Sequence, residues 1–585
     1  MRLNRGRVTR VTVAALSLAA ATLAAQAPAY RTHNDRLDPP SFASAEIWTP
    51  RARYLREHVL ASAGLLPMPA RTPLNPVVFG ELRHSDYIVE KVYFESLPGF
   101  FVTGNLYRPI GAGPFPAILS PHGHWTNGRL EHTAINSGPG RAIGLARQGF
   151  VVFTHDMIGY NDSRQLTHTF GGARENLWGL SLGGLQLWNA IRALDFLETL
   201  PYVRRDGFGV TGESGGGTQT FLLGAVDDRV AVAAPVNMIS LHMQGGCLCE
   251  NMPGLRIDTN NVEIAATIAP RPLLMVSATG DWTAETMERE FPAMQRAYAL
   301  LGAEGKVHAV RFTAEHNYNK DSREAMYAWM ARWLQHAPAD TKRQEKSFTP
   351  DSLADLLVFY GRPAPTGALK AGQVTEQWIA SAEAQLASPD IYRTQFQSAL
   401  RHVLGVDGSP AAAPATLFRP ARIAVVAGTA PEVDAALKAA GFEVRPVAFT
   451  PFDEAAAAKI RHFETYNRTA ASQRVLDLVS AMRQSPTATL IAAGEAALPA
   501  LLAAAMTPIA RTIADVDGFN TSSDRAYLER LYIPGLRRAG DFRTAAGMLR
   551  GEVIVHDGRE GFFMQRVRTS ATELDPRAIA AAAAR

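Results

Sequence analysis

The chain has 585 residues, of which 47% are hydrophobic and 19% charged, with a formal net charge of +4. That length exceeds what a single core ordinarily organises, so more than one domain is expected, and the composition is that of a globular protein, which excludes a disordered or fibrous chain. Arg2, Arg5, Arg7 and Arg10 account for the positive balance, and no basic patch for nucleic acid stands out further along.

Those arginines lie in a basic leader followed by an apolar run over 11–25 and by small residues around Ala25-Gln26-Ala27. The run is shorter than the roughly 20 residues that span a bilayer. Residues 1–27 therefore read as a signal peptide, cut after Ala25 or Ala27, and the mature chain is expected in the periplasm or outside the cell. Apolar residues at helical spacing predict a helix over 49–65. Two strands follow, 87–95 and 100–108, with Leu97-Pro98-Gly99 as their turn.

Buried runs over 116–120, 150–154, 207–211, 230–234, 272–278 and 306–312 then alternate with helices. These end near 148, cover 179–200, and lie near 215–225, 285–302 and 321–335. Continuous apolar strands alternating with helices predict a mostly parallel sheet covered on both faces. The fold class is α/β. The domain expected to carry chemistry covers 41–336. The polar stretch 337–352 reads as a linker, and 353–585 as a second folded domain.

A serine hydroxyl becomes a nucleophile only when a base takes its proton and the backbone holds it exposed. The segment Thr211-Gly212-Glu213-Ser214-Gly215-Gly216-Gly217 has the form of a nucleophile elbow, with a strand before the serine and a helix after it. Such an elbow points to an α/β-hydrolase fold, whose triad order is serine, acid, histidine. Asp281 stands just past the 272–278 run and is the candidate acid, ahead of Glu285 and Asp258. His316 follows the next strand and is the candidate base; His308 and His336 read as structural. The amides of Gly215 and His124 are the expected oxyanion donors. His122, Trp125 and Trp282 are candidates to line the substrate site. The two cysteines, Cys247 and Cys249, do not form a disulfide framework. With His242 they offer three ligands from one loop and no fourth, so neither a metal nor another cofactor is expected.

Five segments together resemble a family: Pro121-His122-Gly123-His124, Asp156-Met157-Ile158-Gly159-Tyr160, the elbow at Ser214, Thr279-Gly280-Asp281-Trp282 and His316-Asn317-Tyr318. From about 48 to 336 the chain resembles bacterial secreted α/β-hydrolases grouped with acetylxylan esterases and dienelactone-hydrolase-like carbohydrate esterases. The resemblance implies hydrolysis of a carboxylic ester, commonly an acetyl group on a plant polysaccharide such as xylan. The alternative is a serine peptidase of the prolyl-oligopeptidase type, which shares the triad order; no repeated blade pattern precedes residue 87. A non-catalytic binding protein is a third reading, opposed by the intact triad. The partner expected is an acylated small molecule or polysaccharide, with no nucleic acid, no membrane after the leader is removed, and a homodimer as an open option. The stretch 243–251, around the cysteines, suits a pocket loop.

The second domain echoes the first. Arg474-Val475-Leu476-Asp477-Leu478-Val479 parallels Arg192-Ala193-Leu194-Asp195-Phe196-Leu197. At the offset from Asp477 that separates Ser214 from Asp195 stands Ala496, in Gly494-Glu495-Ala496-Ala497. Residues 422–428 and 440–444 likewise echo the first domain's strands, and 392–404 its leading helix. The expectation is a degenerate, inactive α/β-hydrolase-like domain, with His556 in or beside a strand and no triad histidine. The competing reading is an unrelated αβ segment.

Overall fold

The computed structural model describes residues 29–406, 421–570, 572 and 575–584. The expected signal peptide at 1–27 lies outside the described residues. The first sheet has nine strands: β1 (Val77–Arg83), β2 (Tyr87–Leu97), β3 (Phe100–Pro109), β4 (Phe115–Leu119), β5 (Val151–His155), β6 (Val203–Glu213), β7 (Val230–Val236), β8 (Leu273–Gly280) and β9 (Val307–Glu315). Their spatial order is β1-β2-β3-β5-β4-β6-β7-β8-β9. The block from β5 to β9 is parallel, and β1 to β3 extend it antiparallel on one edge.

The continuous apolar runs of the parallel block follow from burial on both faces. Side chains alternate between faces, so Val151 and Phe153 join one core while Val152, between them, joins the other. The first core is filled by helices Ala45–Ser62, Leu182–Thr199 and Gly215–Val226, with Trp188, Phe196 and Phe221 fully buried. Helices Gly138–Arg147 and Lys320–Leu334 cover the opposite face through Ile143, Tyr327 and Met330. Strand β1 was not legible in the sequence, because it is an edge strand whose side chains are mostly exposed and show no alternation.

The stretch 337–352 has no regular structure, yet it is strapped to the first unit rather than free. Glu345 pairs with Arg323 at 2.6 Å and accepts from the Tyr327 hydroxyl at 2.9 Å. Beyond it, the Asp162 carboxylate accepts from the amides of Val358 and Phe359 at 2.8 and 3.0 Å. Helix Ala371–Leu386 then adds Val374, Trp378 and Ala382 to the first core. The change of core therefore falls beyond 386 and not at the expected 352/353 boundary.

The second sheet contains β10 (Ile423–Ala427), β11 (Glu443–Pro446), β12 (Thr489–Ala492), β13 (Arg511–Asp515), β14 (Glu552–His556) and β15 (Arg568–Thr569). It is parallel throughout, in the order β11-β10-β12-β13-β14-β15. Numbered from its own first strand, that order is the same as in the parallel block of the first sheet.

Arg538 ties the two units together. Its guanidinium is buried, donates to the carbonyls of Gly64 (2.9 Å) and Pro67, and lies over the Trp378 ring. Burial lowers its pKa to about 10. Removing the guanidinium strands two buried carbonyls, each costing about 1–3 kcal/mol. Arg538→Ala is therefore expected to lose about 2–4 kcal/mol, read as a lower midpoint in chemical denaturation; an unchanged midpoint would show that this contact does not hold the units together.

Candidate active site

Ser214 stands between β6 and helix Gly215–Val226, with φ 56° and ψ −121°. A non-glycine residue held there is strained, and such strain is the mark of a nucleophile elbow. The turn is locked by Ser214 N donating to Val236 O at 3.0 Å and Thr218 N donating to Ser214 O at 2.9 Å. Gly212 allows the close packing: a Cβ there would lie 2.4 Å from the Pro121 carbonyl oxygen. Gly215 opens the helix, so its N–H is among those with no partner inside that helix.

Asp281 lies just past the end of β8 and His316 just past the end of β9, both at the carboxyl edge of the parallel strands. His316 Nδ1 is 2.8 Å from Asp281 Oδ2. The other carboxylate oxygen of Asp281 accepts from Thr283 N at 2.7 Å and from its hydroxyl at 2.5 Å. Asp281 is thereby fixed with one oxygen facing the imidazole, and its side chain is buried while that of His316 is 25% exposed. The rival acids are occupied elsewhere: Glu285 pairs with Arg36 at 2.8 Å, and Asp258 with Arg468 at 2.5 Å.

Comparison with known proteins finds hydrolases and esterases. No family model matches the chain. YtaP of Bacillus subtilis (strain 168), a protein named as a hydrolase, is 24% identical over 290 residues, which is 46% of this chain and 95% of YtaP. The strand order of the first sheet and the turn at Ser214 are those of an α/β-hydrolase fold. Among solved structures, the methylesterase BT1017 is 32% identical with a TM-score of 0.45, the match covering 50% of this chain and 66% of the methylesterase. A glucuronoyl esterase from Solibacter usitatus is 19% identical (TM-score 0.39; 53% of this chain, 99% of that one). An acetyl xylan esterase from Paenibacillus sp. R4 is 17% identical (TM-score 0.33; 50% and 97%).

The residue that organises the elbow is one with no evident role in the sequence. Glu213 is fully buried, and one of its oxygens meets Arg141 Nη1 at 2.7 Å. Its other oxygen accepts from Gly123 N at 3.0 Å and from Trp125 Nε1 at 2.7 Å. Arg141 also donates to the Ser120 hydroxyl (2.9 Å) and lies 4.5 Å from the centroid of the Tyr318 ring. The only clue in the sequence was the acidic residue inside an otherwise apolar, glycine-rich turn.

Of the residues expected to line the substrate site, Trp125 and Trp282 flank His316, with ring centroids 6.2 and 4.4 Å from its own. His122 does not reach the surface. It is fully buried, its Nε2 accepts from Met157 N at 2.9 Å, and its Nδ1 lies 2.7 Å from the Gly123 carbonyl. Those partners fix a neutral tautomer with the proton on Nδ1, and burial drives the pKa well below its usual value. His122 therefore shapes the 120–125 loop from beneath and is corrected from a substrate contact to a positioning residue.

The Asp156 motif is likewise internal. Asp156 accepts from the Thr103 hydroxyl and faces buried Arg129 at 3.1 Å, and burial raises its pKa to about 6. The cysteine loop lies against the 120–125 loop. His124 Nε2 is 3.1 Å from Cys249 Sγ, and Cys247 Sγ is 3.3 Å from His168 Nε2. Among the described residues, these four side chains form the group that could hold a metal, and His242 is not one of them.

The second sheet has nothing equivalent at its third strand. Ala496 follows β12 with φ −90° and ψ −18°, an ordinary helical conformation, and His556 is the last residue of β14.

Glu213→Gln keeps the shape but leaves the Arg141 charge buried without its counter-ion. It is expected to cost about 3 kcal/mol or more and to lower kcat more than it raises KM. Glu213→Gln combined with Arg141→Met should recover much of the stability but not the rate. Thermal melts together with steady-state kinetics check both; a single variant with wild-type stability and rate would show that the pair positions nothing.

Proposed function

We propose that this hydrolase is an exported serine esterase that removes acyl groups from a carbohydrate through an acyl-enzyme. The observation that carries the reading is the Asp281–His316 contact, set beside a serine held on a strained strand-to-helix turn. Ser214 Oγ attacks the ester carbonyl while His316 Nε2 takes its proton. Asp281 keeps the imidazole in the tautomer with Nδ1 protonated and stabilises the imidazolium that forms. The negative charge on the carbonyl oxygen is met by two amides. One is Gly215 N, at the positive end of its helix. Gly123 N is committed to Glu213, so the next amide, His124 N, is the second donor. His316 then returns its proton to the leaving alcohol, and water repeats the sequence to release the acid.

The geometry supports acyl transfer. The carbohydrate ester is the substrate class carried by the names of the similar proteins, and the half-buried rings of Trp125 and Trp282 beside His316 suit the flat face of a sugar. The peptidase reading is disfavoured by the arrangement ahead of β1, where the described residues contain one helix, Ala45–Ser62, and no propeller blade. No helix among the described residues is long and apolar enough to cross a membrane, in keeping with a chain released after its leader is cut.

The second unit, on this reading, is a silent copy that serves as a scaffold. Its segment 463–467 pairs with the loop behind the cysteines: Thr465 Oγ1 donates to Asn251 O at 3.0 Å, and the Tyr466 hydroxyl to Asn251 Oδ1 at 2.7 Å.

A fluorophosphonate probe should label the wild type and not Ser214→Ala, and Asp281→Asn should lower kcat by about 10⁴. Assays on acetylated xylan, acetylated pectin, aryl acetates and a dipeptide amide should show turnover of the esters. Turnover of the amide alone would replace the esterase reading with the peptidase one, and labelling that survives Ser214→Ala would remove the serine from the mechanism.

A further inference from the structure

Four donors from distant parts of the chain converge beside the elbow. His124, His168, Cys247 and Cys249 each present one ligand atom, and these atoms all lie within 4.8 Å of one another. His124 and Cys249 are 125 positions apart, and His168 and Cys247 are 79 apart. Tetrahedral zinc with bonds of about 2.3 Å to sulfur and about 2.0–2.1 Å to nitrogen would set ligand-to-ligand distances of roughly 3.3–3.8 Å. The contacts present, 3.1 Å for His124 Nε2 to Cys249 Sγ and 3.3 Å for Cys247 Sγ to His168 Nε2, already lie close to that range.

We propose that His124, His168, Cys247 and Cys249 bind one structural zinc ion that pins the proposed oxyanion loop to the 243–251 loop. His168 has the outer partner that a metal-binding histidine requires. His168 Nδ1 lies 2.6 Å from the Ile158 carbonyl, so it carries the ring proton and leaves the Nε2 lone pair facing Cys247. Glu250 accepts from the amides of Gly246 and Cys247 at 2.9 and 2.8 Å. Asn251 donates to the carbonyls of Gly245 and Cys247 at 3.0 and 2.6 Å. The cysteine loop is thus shaped by its own hydrogen bonds, without help from a metal.

A pair of cysteines serving only as small apolar side chains would not require two imidazole Nε2 atoms aimed at their sulfurs. Soft thiolates with imidazoles in a four-donor set select zinc over magnesium or calcium. Loading is balanced: Zn²⁺ displaces two thiol protons, and the two thiolates cancel its charge. Four protein ligands leave no open position, so the ion organises structure and takes no substrate.

Its consequence for the active site rests on the esterase reading. The His124 ring packs on the elbow, with its Cε1 2.5 Å from where a Cβ on Gly215 would stand. Fixing this ring holds the His124 amide and Gly215 in one rigid group.

The test begins with full-length protein purified under reducing conditions and reconstituted with zinc, its metal content measured by mass spectrometry. About one zinc per chain is expected in the wild type and in Ser214→Ala, and less than a tenth of that in Cys247→Ser and His168→Ala. Because those variants could misfold, cobalt substitution of the wild type provides a second readout, with a sulfur-to-cobalt charge-transfer band expected. Stripping the zinc should slow fluorophosphonate labelling of Ser214 by about tenfold. A wild type that takes up no zinc, or folded Cys247→Ser protein that keeps its zinc, overturns the proposal; so does a Cys247–Cys249 disulfide that re-forms in the presence of zinc. Metal content does not depend on turnover, so failure here leaves the esterase reading standing, and inactive protein that holds zinc leaves this one.

Discussion

The loops around the Ser214 turn are tied together by the carboxylate of Glu213. A buried charge is costly unless paired and hydrogen-bonded, and Glu213 meets both conditions through Arg141, Gly123 and Trp125. That requirement fixes geometry. The carboxylate belongs to the residue before Ser214, so whatever it holds is set relative to the serine. It holds the 120–125 loop, which supplies the second proposed oxyanion donor, and the Trp125 ring that lies against His316. Through Arg141 and Tyr318, whose hydroxyl meets the Thr211 hydroxyl at 2.6 Å, the same network reaches the loop that carries His316. One ion pair thus coordinates three loops that come from different strands.

This arrangement also explains the depth of burial around the site. His122 and Asp156 look like chemistry in the sequence, yet both are enclosed, with their polar atoms satisfied internally. Their work is to define the backbone of loops that would otherwise be free at the carboxyl edge of the sheet. The second unit extends the same principle outward. By bonding to Asn251 it braces the loop that carries Cys247 and Cys249, so residues far from Ser214 in the chain stiffen the wall of its site.

How much of this could be read from sequence follows from how local each signal is. Ser214, Asp281 and His316 each sit just past the end of a strand that the apolar runs mark out, so short-range pattern suffices to propose them. The parallel block was legible for the same reason. Glu213 was missed because its meaning depends on Arg141, which lies on a helix with no sequence link to the elbow. His168 was missed as a neighbour of the cysteines because only the fold brings it there. His122 was misplaced because a histidine in a glycine-bounded loop looks the same in one dimension whether its ring faces solvent or the interior. The boundary at 352/353 failed differently: polar composition marks absence of regular structure, not absence of packing, and the segment is held by Glu345 and its neighbours.

The contrast between Ser214 and Ala496 gives the strain at the elbow a physical meaning. Both residues stand between the third parallel strand of their sheet and a helix, so the chain must reverse direction at each. Only Ser214 is held at positive φ, a conformation that costs about 1–3 kcal/mol. In the second sheet the positive φ has moved to Gly494, where it carries no side-chain penalty, and Ala496 has relaxed into the helical region. If topology alone demanded the strained serine, the alanine would share it. On the proposed mechanism the strain serves to hold a hydroxyl out toward a carbonyl, and in the first sheet the hydrogen bonds to Val236 and Thr218 and the buried pair below maintain it.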